Sequence, residues 1–186
     1  MGAAHFLILT GPPGSGKTTV GRRVAESFEP SVAIESDFFW AAIVNGMIPP
    51  WESESGEQNR TMIRASLAAA TCLVASGYAT VLEGIVGPWF FNLLREELQG
   101  VDAIISYVVL RPSLEECLIR SKDRLKEQRH AGALTDEEPI RHLYSQFESL
   151  NSHERNVIDT STLSIEETVR LIVDDLNGAG NFVIAP

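Results

Sequence analysis

The run Gly11-Pro12-Pro13-Gly14-Ser15-Gly16-Lys17-Thr18-Thr19 constrains the fold of this chain more than any other feature. It has the form Gly-x-x-x-x-Gly-Lys-Thr and follows directly on the apolar stretch Phe6–Thr10. Glycines at these places let the backbone curl so that successive N–H groups point at one anion. A helix expected from Lys17 to about Phe28 adds unpaired N–H groups and the positive end of its dipole. Lys17 can then reach β- and γ-phosphates, and the Thr18 hydroxyl can ligate Mg²⁺. ATP with Mg²⁺ is the expected ligand pair. No Asn-Lys-x-Asp run is present to read guanine, and no long apolar strand ends in an Asp-Glu pair.

A strand leading into a phosphate loop and helix predicts an α/β domain, and the rest of the chain keeps that alternation. Short apolar strands are expected at Val32–Glu35, Ala79–Leu82, Ala103–Leu110 and Asn156–Asp159. Between them lie a short helix at Phe38–Val44, a loop at Asn45–Gly56 and a long helix at Glu57–Ser76 closed by Gly77. A further helix opened by Pro88 ends before Gly100. Ser113 with Glu116, and Ser164 with Glu167, have the capping-box spacing. A break falls at His130–Ala133, and Thr135 with Glu138 is expected to cap the next helix, whose apolar stripe is Ile140, Leu143, Tyr144, Phe147 and Leu150. The last helix turns Val169, Ile172, Val173 and Leu176 inward and ends at Gly178. Residues 1–178 read as one domain with a lid near 120–140, and 179–186 as a tail expected to be disordered.

In a doubly wound sheet, ligands sit beyond the carboxyl ends of the strands. Glu35 and Asp37 end the second strand, and Glu83 ends the third. A carboxylate there can hold Mg²⁺ through water or take the proton of an attacking hydroxyl, and Asp37 can also cap the helix that follows it. Aromatic residues follow each acid closely: Phe38, Phe39 and Trp40, then Trp89, Phe90 and Phe91. Most suit a core; one or two, with Trp51, can wall a substrate pocket. Arg120 and Arg124 are four apart on one expected helix, with Arg129 just beyond. Cations in a closing lid would stabilise a transferring phosphoryl group; ordinary surface pairing with Glu116, Asp123 or Glu127 is the alternative.

On these residues the chain resembles the small P-loop kinases of the nucleoside-monophosphate kinase type, which include adenylate, shikimate and gluconate kinases, chloramphenicol phosphotransferases and zeta toxins. The resemblance rests on Gly11–Thr18, on Glu35-Ser36-Asp37, and on Leu110-Arg-Pro-Ser-Leu-Glu-Glu leading to Arg120 and Arg124. It implies a three-layer α/β/α P-loop fold with a parallel five-stranded sheet in the order 2-3-1-4-5. It also implies that Glu35 holds Mg²⁺ through water and that Asp37 contacts or deprotonates the acceptor hydroxyl. One lid arginine would pack on adenine and another would touch phosphate, with the adenine loop near Thr160 and Ser161. Trp51 and Glu83 are expected on the acceptor side, beside Asp37.

The net charge of −10 argues against a protein that holds long nucleic acid through its phosphates. No apolar run reaches the roughly 20 residues of a membrane helix, and no secretory signal is visible. Cys72 and Cys117 fall among apolar residues of expected helices, which points to buried free thiols and a reducing cytoplasm. ATP-dependent phosphorylation of a small-molecule hydroxyl is the leading expectation. The alternatives are a zeta toxin-like or nucleic acid end kinase, and a nucleotide-binding regulatory module without an acceptor.

Overall fold

Strand β1 (Ala4–Thr10) is buried on both faces, and the rest of the molecule is arranged around it. The structure, a computed structural model, describes residues 4–126 and 136–184, with backbone only for residues 124–126. Phe6 and Ile8 point into one apolar core, Leu7 and Leu9 into another on the opposite face. Such two-faced burial suits the centre of a parallel sheet covered by helices on both sides. Around β1 run β2 (Ser31–Glu35), β3 (Ala79–Glu83), β4 (Ala103–Leu110) and β5 (Val157–Ile158), in the order β2-β3-β1-β4-β5. All pairings are parallel, and the expected order is found.

The first core lies under α3 (Gly56–Ala75) and α4 (Phe91–Leu98), and the second under α1 (Lys17–Ala25) and α7 (Ile165–Asp174). In α3 the buried positions Ile63, Ser66, Leu67, Ala70 and Val74 follow helical spacing. Cys72 falls off that stripe and is exposed, which corrects the expectation of two buried thiols; Cys117 is buried. The remaining helices are α2 (Asp37–Ala41), α5 (Leu114–Lys126) and α6 (Glu137–Ser145). Ile140 and Leu143 of α6, and Phe147 and Leu150 beyond it, are buried as expected. The N-cap of α6 is Asp136. Thr135, Arg129 and the break at residues 130–133 lie outside the described residues.

At α7 the Ser164 hydroxyl accepts from the Glu167 N–H while the Glu167 carboxylate accepts from the Ser164 N–H, so the capping box is complete. The other end differs from expectation. A π-turn at Asp175–Ala179 extends the helix past Gly178, and it closes at Gly180 with φ of 62°. Residues 181–184, expected to be disordered, are docked on the sheet. The Tyr107 N–H donates to the Phe182 carbonyl, and the Ile184 N–H donates to the Ile105 carbonyl. The buried Asp175 carboxylate accepts from the backbone N–H groups of Asn181 and Phe182. Because β5 pairs with Val109 and Leu110 alone, it leaves the earlier part of the β4 edge open, and the tail fills it.

Register places the acids. Leu9 lies opposite Glu83 on β3, and Glu83 lies opposite Glu35 on β2. The ends of three adjacent strands therefore bring Thr10, Glu83 and Glu35 to one edge, where α1 begins.

Candidate active site

The loop from Gly11 to Lys17 is packed between strand ends and α5. Gly14 has φ of 81°, and a Cβ on it would run into the Cys117 carbonyl of α5. Any side chain at that position would push the phosphate loop off the helix. Gly16, with φ of 93°, caps α1 without any side-chain hydrogen bond, so the first N–H groups of α1 are left to a ligand. Pro12, Pro13 and Ser15 complete the buried part of the loop, while Thr19 is exposed on the first turn of α1. Lys17 is almost fully buried, and its Nζ lies 3.0 Å from the Pro12 carbonyl and 3.5 Å from Ser15 Oγ. It spans the loop from inside, where a phosphate would meet its charge.

Thr18 donates its hydroxyl to Glu83 Oε1 at 2.8 Å. Burial pushes the Glu83 carboxyl above the usual range; the Lys17 charge and the Thr18 hydrogen bond oppose this, and the neighbouring Asp37 and Glu35 charges add to it. Glu35, expected to hold Mg²⁺ through water, pairs with Arg22 at 3.3 Å. Glu83, expected on the acceptor side, is the acid that touches the P-loop threonine. Asp37 is the first residue of α2 and is exposed. It does not cap the helix, because Ser36 holds the N-cap position.

Ser36 locks the two acidic strand ends together. Its N–H donates to the Glu83 carbonyl at 2.8 Å. Its hydroxyl is buried against Gly84, where a Cβ would collide with it, and it has no hydrogen-bond partner among the described residues. Beyond Gly84, the Val86 N–H donates to Thr10 Oγ1 and the Val86 carbonyl accepts from the Tyr107 hydroxyl. The segment leaving Glu83 is thus tied back to β1 and β4.

The loop at residues 45–56 is tied to the start of α3. Gln58 bonds both the N–H and the carbonyl of Ile48, and Asn59 Nδ2 donates to the Pro50 carbonyl. Trp40 of α2 donates its indole N–H to Asn59 Oδ1 at 3.0 Å. One knot of hydrogen bonds therefore joins α2, the loop and α3. Trp51 sits in this loop and is partly exposed.

On the other side of the P-loop lies a cavity of about 340 Å³ lined by Ser15, Thr19, Arg120, Thr160, Leu163 and Thr168, among others. That volume is in the range of small-molecule sites. Arg120 donates to the Thr160 carbonyl at 3.2 Å and pairs with Glu116 at 3.3 Å. The pairing with Glu116 is the surface-pair placement weighed from sequence, and the same arginine also lines the cavity. Thr160 is buried, and its hydroxyl has no partner among the described residues. An orphaned hydroxyl in a cavity wall beside a phosphate loop fits a nucleoside, and the loop with Thr18 and Glu83 fits phosphates with Mg²⁺, an ion held through few protein oxygens. Arg124 lies on α5, and its side chain is outside the described residues. Sequence reasoning missed Leu163 and Thr168; the capping box at Ser164 was the available signal, since it places them at the same sheet edge as Thr160. A second cavity of about 370 Å³ lies between α1 and α7, lined by Arg23, Glu26 and Arg170 among others, and none of the P-loop residues 11–18 lines it.

Residues 7–141 match the model of the AAA domain family AAA_18. The chain is similar to cytidylate kinase of Aeropyrum pernix, with 26% identity over 184 residues, covering 93% of this chain and 99% of that protein. Among solved structures it is similar to shikimate kinase from Acinetobacter baumannii in complex with shikimate: TM-score 0.63, 26% identity, 95% of this chain and 94% of that one. It also shares its fold with the APS kinase of Mycobacterium tuberculosis in complex with AMPPNP and APS, at TM-score 0.69 and 18% identity, over 96% of this chain and 100% of that one.

Proposed function

The chain belongs to the AAA_18 family of AAA domains, a P-loop kinase domain, and from that premise we propose that it transfers the γ-phosphoryl group of ATP to a hydroxyl of a small molecule. One observation carries this reading: the acids at the sheet edge are in unlike environments. Glu83 is buried on Thr18, Glu35 is paired with Arg22, and Asp37 is exposed beside both. That division suits one carboxylate for the metal and another for the acceptor.

In this reading the P-loop N–H groups and Lys17 hold the β- and γ-phosphates, and Lys17 offsets the charge of the transferring group. The Thr18 hydroxyl and Glu83 would hold Mg²⁺, which when bound neutralises phosphate charge and orients the γ-phosphoryl group. Arg120, Thr160 and Leu163 would wall the nucleoside. Asp37 takes the acceptor's proton as the acceptor oxygen bonds to the γ-phosphorus and the bond to the β–γ bridging oxygen breaks, releasing ADP. Arg124 is assigned to the transferring phosphoryl group, and Glu35 orients Arg22 and supports the acidic edge.

The test is ADP release from ATP with and without a panel of alcohols, for the native chain and for Asp37→Asn. The variant is expected to bind nucleotide normally and to lose transfer by about 10²–10⁴-fold, the usual contribution of a general base. Full-rate turnover by Asp37→Asn would reject this role. A second reading, favoured by the likeness to cytidylate kinase, is a nucleoside monophosphate as acceptor. In that case CMP would stimulate ADP release and the alcohols would not.

A further inference from the structure

Resting on the nucleotide side of the proposed function, we infer that the phosphoryl donor is chosen by its triphosphate and by the size of its base, not by the hydrogen-bonding edge of that base, so that GTP serves this chain about as well as ATP. Adenine carries an amino donor where guanine carries a carbonyl acceptor, and a site tells the two apart only with polar groups that face that edge. A site built on such groups rejects the wrong partner by about 10⁴–10⁵-fold, whereas apolar walls separate ligands of similar size weakly. Donor choice therefore depends on which polar groups the cavity beside the phosphate loop leaves unengaged.

The loop between β5 and α7 supplies Thr160, Leu163 and Ser164 to that cavity, and its polar groups are largely turned on the loop itself. The Asp159 carboxylate accepts from the Ser161 N–H at 2.9 Å and from the Ser161 hydroxyl, which in turn accepts from the Ser113 N–H at 2.8 Å. These bonds hold the Asp159 carboxyl below its usual range, so it stays charged and engaged. Glu167 accepts from both the N–H and the hydroxyl of Ser164. The Ser164 carbonyl accepts from the Thr168 hydroxyl and N–H, and the Thr160 carbonyl accepts from Arg120. Both carboxylates of this segment that could accept from the N–H groups of guanine are thus engaged, and so is the Thr160 carbonyl that could accept from the amino group of adenine. Among the described residues, no Asp, Glu, Asn or Gln lines the cavity.

Shape remains as the means of holding a base. Val20, Leu163 and Ile165 supply apolar wall. Arg120, fixed by Glu116 and the Thr160 carbonyl, supplies a planar cation that stacks on any base. The Thr160 hydroxyl is buried and has no partner among the described residues. A hydroxyl rotates, so it donates to the guanine carbonyl or accepts from the adenine amino group and serves either purine alike.

The experiment measures binding to the full chain with Mg²⁺ and no acceptor, so its outcome does not depend on the alcohol. Titration calorimetry compares ATP, GTP and ITP, purine nucleotides that differ only at the base edge, with CTP and inorganic tripolyphosphate. The three purine nucleotides are expected to bind within about tenfold of one another, CTP several-fold more weakly because its single ring covers less of the wall, and tripolyphosphate more weakly still. A gap beyond about tenfold between ATP and GTP in either direction, or CTP or tripolyphosphate as tight as ATP, overturns the inference and leaves the phosphate-loop reading standing. No binding of any of these nucleotides overturns both. Thr160→Val keeps the side-chain shape and removes the hydroxyl. It is expected to weaken ATP and GTP by the same factor, up to about fivefold, and a loss confined to one purine overturns the inference.

Discussion

In the proposed reading the nucleotide side of Lys17 is built largely of backbone, and the acceptor side of side chains. The phosphate loop is largely buried, Gly11 and Gly14 lie against the carbonyls of Leu110 and Cys117, and the cavity beyond it is walled by Thr160, Leu163 and Thr168. The acceptor edge has an exposed Asp37, exposed aromatics and a loop held by a few side-chain hydrogen bonds. Backbone donors recognise what every nucleoside triphosphate shares, whereas side chains recognise what distinguishes one acceptor from another. Shikimate kinase from Acinetobacter baumannii shares this architecture with the chain.

The comparison breaks first at Lys17. Lys17→Ala is expected to lower turnover by about 10²–10³-fold, the scale of losing one preorganised group on developing charge. Its melting temperature should hold, because the hydrogen bonds of the lysine to Pro12 and Ser15 lie within the phosphate loop. Turnover near the native level would remove the P-loop from the chemistry.

Glu83→Gln tests whether the buried acid belongs to the nucleotide side. Mg²⁺-dependent turnover should fall by about tenfold or more, since a neutral amide holds the ion poorly. Stability should move the other way. Glu83 has its folded pKa raised, so its stabilising protonated form is fully present below the unfolded value near ~4.3 and is lost as pH rises through the folded value. At neutral pH without metal, the Gln variant should therefore melt higher than the native chain, and the gain should vanish below about pH 4. A lower melting temperature at neutral pH would mean that the charged form is the one the fold stabilises.

A smaller effect is expected where the two halves join. Gly84→Ala drives a methyl group into the Ser36 hydroxyl and shifts α2 with Asp37. Turnover should fall by about tenfold, given that displacements near 1 Å at a reacting group can cost up to about 10²-fold. KM for ATP should hardly change. Adding Ser36→Gly should restore much of the loss by opening the space. Failure of that rescue would mean that the strain is not at this contact.

The smallest change sharpens the acceptor half alone. Trp51→Ala should raise KM for the best acceptor by roughly fivefold, in line with a partly buried aromatic contact, and leave KM for ATP unaltered. An equal rise for both substrates would place Trp51 in the general support of the loop.

Much of this was legible without coordinates of any kind, because the responsible patterns are local. The P-loop needs glycines at fixed offsets between a strand and a helix, and Gly11–Thr18 shows them in sequence. The alternation of apolar strands with amphipathic helices marked all five strands, and the sheet order followed from the resemblance to small P-loop kinases. Ser164 and Glu167 announced the start of α7 because a capping box is written within four residues. What only the tertiary structure decided depends on register across the sheet. Glu83 and not Glu35 meets Thr18 at a separation of 65 residues. The tail at residues 181–184, expected to be disordered, finds a partner because β5 is too short to cover β4. Cys72 is exposed because helical spacing puts it on the face of α3 opposite the buried stripe. Parallel strands are joined by long crossovers, so nothing in the adjoining residues sets which strand end faces which; that choice falls to the packing of both cores at once.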